Sequence, residues 1–105
     1  DCCASGLLVV GDFQEVNQGL HNFDKSAFIQ SNGVVLSSGG AQNMCNSPIR
    51  IINEFIVLAK NYGFDLREGQ LVALGGMTPC IDLPVNQIIT GQIDGMLPVC
   101  FSIQG

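Results

Sequence analysis

At 105 residues the chain is one domain at most, and with 47% apolar but only 12% charged residues it has about half the charge of an ordinary soluble domain. The net charge of −5, with Lys25, Arg50, Lys60 and Arg67 scattered, excludes the clustered cations that a nucleic-acid backbone requires. No apolar run approaches the length of a membrane span, so no membrane partner is expected.

The first element in chain order is the apolar run Gly6 to Val10, which reads as a short buried strand. Gly11 to Asp24 is polar and reads as a connection. Ser26 to Ser31 and Val34 to Ser38 flank Asn32-Gly33, and an Asn-Gly pair between two such runs is a strong hairpin signal because both residues accept positive φ. Gly39 and Gly40 are expected to end the second strand.

A helix is predicted from Ser47, a natural N-cap, and Pro48, whose missing N–H costs nothing at the first helical position. Ile49, Ile52, Phe55, Ile56, Ala59 and Tyr62 form its apolar face, Ile51 and Leu58 widen it, and Gly63 ends it. Leu71 to Leu74 reads as a second buried strand, and Thr78 to Pro84, with two prolines, as a loop or sheet edge. Ile88 to Ile93 and Met96 to Ile103 flank Asp94-Gly95, a second hairpin. The pattern is thus about six strands and one helix without βαβ alternation: an α+β, mostly β fold with the helix packed on the sheet.

Cys2, Cys3, Cys45, Cys80 and Cys100 contain no Cys-x-x-Cys pair, which argues against zinc and thioredoxin-like chemistry. Cys80 and Cys100, in apolar surroundings, are expected to be small core residues, and a reducing, cytoplasmic location fits best. His21, the lone histidine, sits in a polar stretch and reads as a solvated loop residue rather than a base. Cys2 and Cys3 have no basic neighbour in sequence to lower a thiol pKa. Glu15, Glu54 and Glu68 are isolated, so no convergent oxygen set for a hard cation is evident.

Two segments and their order carry a resemblance. Asp1-Cys2-Cys3-Ala4-Ser5-Gly6 runs into the first apolar strand, and Leu71-Val72-Ala73-Leu74 leads into Gly75-Gly76-Met77-Thr78-Pro79, with the helix and Leu66-Arg67-Glu68-Gly69 between them. This order resembles the C-terminal half of the 2-keto-4-pentenoate hydratase branch of the fumarylacetoacetate hydrolase superfamily, over nearly the whole chain. The resemblance implies a mixed β-sheet roll and a pocket wall for a small 2-keto (2-hydroxydienoate) acid. It places Ser5, Gly75, Gly76 and Thr78 against the substrate. It also implies Mg²⁺ or Mn²⁺ in the complete enzyme, held by acidic residues that would precede Asp1, with no metal bound by this segment. No catalytic residue is assigned.

The chain departs from the family pattern where Cys2 replaces an asparagine, Gln70 an aspartate, and Asn86-Gln87 a longer turn. An inactive relative serving in assembly or ligand binding is therefore the alternative. The low charge and the start on Asp1 lead to the expectation of a homo-oligomer or of a missing N-terminal portion that covers the apolar surface.

Overall fold

A computed structural model describes residues 6–14, 24–44 and 47–105. Among these residues the fold is α+β and mostly strand. β1 (Ser26–Ser31) and β2 (Val34–Gly40) are followed by a single 3-10 turn at Ala41–Asn43, then α1 (Pro48–Asn61), β3 (Ile88–Ile93) and β4 (Val99–Ser102). The four strands form one sheet in the order β2-β1-β3-β4. Every pairing is antiparallel, so the described sheet is not the mixed sheet that the resemblance implied.

The first hairpin turns on Asn32 (φ 52°) and Gly33 (φ 77°). Positive φ at both central residues is the type I′ geometry, whose twist matches that of the strands it joins. Ile29 opposes Ser37 while Gln30 opposes Val35, so Leu36 is the extra residue of a β-bulge. The second hairpin turns at Asp94-Gly95, where the Met96 N–H donates to the Ile93 carbonyl at 3.0 Å. Its return strand begins at Val99 rather than Met96, because Leu97-Pro98 comes first and proline cannot donate to the ladder.

α1 matches its sequence signals closely. The Ser47 carbonyl accepts the first helical bond from the Ile51 N–H at 3.0 Å. At the other end Gly63 (φ 77°) donates to Lys60 O at 3.1 Å and Phe64 to Ala59 O at 2.8 Å, the paired bonds of a Schellman motif. The packing differs from expectation. Pro48 and Ala59, at the centre of the apolar arc, are buried, but Phe55, Ile56, Leu58 and Tyr62 on its flanks are exposed, Tyr62 to 74%. The expected packing of the helix on the sheet is not found: among the described residues α1 makes no more than marginal contact with any strand.

Two expected strands are absent. Residues 6–10 and 71–74 have no strand assignment, with Leu7 exposed to 94% and Leu71 to 58%. An apolar run signals a wish for burial but names no partner, and neither run pairs with an edge of the described sheet. Cys80 and Cys100, expected in the core, are both exposed. Register explains Cys100: it lies opposite Thr90 on the polar face of the sheet, with Cys100 Sγ 3.5 Å from Thr90 Oγ1. Among the described residues no helix is long and apolar enough to cross a membrane.

Candidate functional site

Period-two alternation divides the sheet into two faces. Ala27, Ile29 and Ser31 of β1 stand opposite Ile93, Gly91 and Ile89 of β3, and Gly91 and Ile89 stand opposite Val99 and Phe101 of β4. These residues share one largely apolar face, on which Ile89 is fully buried. The other face carries Gln30, Thr90, Gln92, Cys100 and Ser102 together with Phe28 and Ile88, and is the more polar of the two.

Segment 75–79 anchors at one end of the apolar face. Ser37 Oγ donates to the Pro79 carbonyl at 3.0 Å, and Asn43 Nδ2 to the Met77 carbonyl at 2.7 Å. Gly39 lies so near the Met77 carbonyl that a Cβ would collide with it. Segment 9–14 approaches from β4, where a Cβ on Gly11 would sit 2.5 Å from Val99 Cγ2. Buried Ser31 closes the opposite end, its hydroxyl held between Gln87 Oε1 (2.8 Å) and the Ile88 carbonyl (2.9 Å).

These segments and the sheet enclose an open cavity of about 640 Å³. That is within the range of small-molecule sites, roughly 300–1,000 Å³. Its floor is the cross-strand row Ile29–Gly91–Val99, with Phe13, Met77 and Phe101 among its walls. Asp12, Gln14 and Thr78 are its polar lining residues on this side, and Gln92 of the opposite face also borders it. The Gln92 amide is committed to the Met96 carbonyl at 3.0 Å. Among the described residues Asp12 is the one ionisable lining residue, and no lysine or arginine lines the cavity.

The structure brings two of the expected substrate residues, Gly75 and Thr78, to this cavity. Gly76 is exposed beside them and does not line it. Ser5 lies outside the described residues, as do His21, Cys2, Cys3 and Glu15. Sequence reasoning missed Asp12 and Gly91. A glycine inside the otherwise strand-forming run Ile88 to Ile93 was a usable signal, because a strand-interior glycine often marks close approach by another group.

The chemistry available is binding and orientation: a hydroxyl at Thr78, a carboxylate at Asp12, and an apolar surround. A resident divalent cation does not fit the described residues. Among them no three His, Cys, Asp or Glu side chains converge, and Glu54 is engaged by Arg50 at 3.3 Å on the exposed side of α1. No family model, no curated protein and no solved structure matches the chain.

Proposed function

We propose that the chain forms one wall of the substrate pocket of a hydratase- or decarboxylase-like lyase acting on a small 2-keto acid, within the β-roll of the fumarylacetoacetate hydrolase superfamily. The observation that carries this reading is the shared cavity. Gly75 and Thr78, from the glycine loop, line it together with Val9 and Val10, from the run that follows Ser5 in sequence. Thr78 can donate a hydrogen bond to a substrate oxygen, and the apolar floor excludes water from the substrate's hydrocarbon part. The described residues do not fit the Mg²⁺ or Mn²⁺ of such an enzyme, so no step is assigned through it.

Titration of 2-hydroxypenta-2,4-dienoate into isotopically labelled chain should move the amide resonances of Val10, Gly75 and Thr78. Turnover should be absent with or without Mg²⁺ or Mn²⁺. Undisturbed resonances at those residues would reject the pocket assignment, and stoichiometric metal binding would reject the division of labour. The alternative, a catalytically inactive domain for ligand binding or assembly, is favoured by Asp12, whose negative charge does not welcome an anionic substrate. Dienoate binding far from the cavity would support that alternative.

Self-association belongs to the same proposal. The accessible surface is 8291 Å², whereas a compact protein of 11.1 kDa exposes roughly 5,700 Å². The Cα radius of gyration is 15.3 Å, against roughly 13 Å for a compact domain of this length. The excess area, roughly 2,600 Å², is a little more than the roughly 1,000–2,500 Å² that one protomer contributes to an obligate homodimer. The exposed apolar flanks of α1 supply suitable residues. Sedimentation velocity should therefore show dimers or larger species at micromolar concentration, and a stable, well-folded monomer would sink this part of the proposal.

A further inference from the structure

We infer that the floor around Gly91 seats an uncharged apolar group, and that the cavity selects against anions at the end where Asp12 lies. This deepens the ligand-site reading above. It rests on the cavity being a ligand site and does not depend on lyase chemistry.

Three independent features converge. Gly91 sits inside β3, a position where glycine weakens a strand and contributes no packing. It is not among the residues with positive φ, so backbone conformation does not demand glycine there. A Cβ built on it meets nothing within 4 Å, so no neighbour demands glycine either. Gly11 and Gly39 differ in this respect, because each is pressed against other atoms of the chain. What remains above Gly91 is open cavity, flanked across the sheet by Ile29 and Val99.

The electrostatics fix the class of occupant. The floor and walls are apolar, and among the described residues the one ionisable lining group is a carboxylate and no cation lines the cavity. An uncharged ring or short alkyl group therefore gains contact area at no electrostatic cost, while an anionic group near Asp12 meets repulsion. A 2-keto acid would lay its vinyl end on Gly91 and turn its carboxylate away from Asp12.

The test uses a matched pair of fluorescent probes on the full chain: neutral N-phenyl-1-naphthylamine and its anionic sulfonate counterpart, 8-anilinonaphthalene-1-sulfonate. The neutral probe should bind one per chain, with the sulfonate about fivefold weaker, the scale of one unit-charge repulsion at contact distance in water. Asp12→Asn should bring the two within about twofold of each other. Gly91→Phe should weaken the neutral probe at least about tenfold by filling the floor, and Gly91→Val should give an intermediate loss. Both Gly91 variants should melt no lower than the parent, because β-branched and aromatic residues suit a strand; if Gly91→Phe misfolds, Gly91→Val decides.

Several probes per chain, indifference to Gly91 substitution, or a sulfonate bound as tightly as the neutral probe would overturn the inference. Failure of the dienoate to bind, with the probe results intact, would remove the lyase reading and leave the inference standing. Dienoate shifts at Gly75 and Thr78 that survive Gly91→Phe, with no neutral-probe binding, would do the reverse.

Discussion

Ile89→Ala should lower the free energy of unfolding by about 3 kcal/mol, within the range of about 2–5 kcal/mol for truncating a buried isoleucine. Ile89 is 0% exposed, the one large side chain among the described residues that is completely enclosed. It sits in β3 between Ser31 of β1 and Phe101 of β4, so its side chain joins three of the four strands. Removing it leaves a void that the backbone ladders on both sides prevent from collapsing. Total stabilities are typically about 5–15 kcal/mol, so one such loss could remove much of the margin in a chain that buries so little else. Ile89→Val, which deletes one methylene, should cost about 1 kcal/mol. Urea titration monitored by circular dichroism reads both values. A loss below about 1 kcal/mol for the alanine variant would mean that Ile89 is not the keystone described.

Gly39→Ala should be the second damaging substitution, at about 2–3 kcal/mol, near the top of the range for overpacking. An alanine inside a strand ordinarily gains about 0.5–1 kcal/mol over glycine through lower unfolded-state entropy. Here that gain is outweighed. The new Cβ would run into the Met77 carbonyl and lie 2.5 Å from Asn43 Nδ2. A backbone carbonyl cannot swing aside as a long side chain can. Segment 75–79 would have to lift, weakening the Asn43–Met77 and Ser37–Pro79 hydrogen bonds that hold it down. Gly91→Ala is the matched control: the same chemical change on the same sheet face, with nothing within 4 Å of the new Cβ. It should be neutral or stabilising. Amide chemical shifts should change across residues 75–78 in the Gly39 variant and not in the Gly91 variant. Equal melting temperatures for the two variants would contradict the close approach at Gly39.

The elements legible in the sequence are those whose signals are local. Asn32-Gly33 specifies its hairpin because the two residues that must take positive φ are adjacent. Ser47-Pro48 and Gly63 bound α1 because capping involves only the first and last turns. The candidate site was partly legible for the same reason: Gly75 and Thr78 lie in one short loop, and a glycine loop after an apolar run is a local pattern.

Whatever depends on a distant partner was decided by tertiary structure alone. Residues 6–10 and 71–74 carry the composition of buried strands, yet neither pairs, because a strand exists only where another offers a matching ladder. Cys100 has apolar neighbours in sequence, but register places it beside Thr90 on the polar face. The apolar stripe of α1 states that the helix seeks cover without stating how much is available, and only its centre, at Pro48 and Ala59, is covered. The sequence by itself therefore determined the turns and the caps, both set by local dihedral preference. The tertiary structure decided the strand order, the burial of Ile89 and the meeting of Val10, Thr78 and Gly91 around one cavity, because these need contacts between residues far apart in the chain.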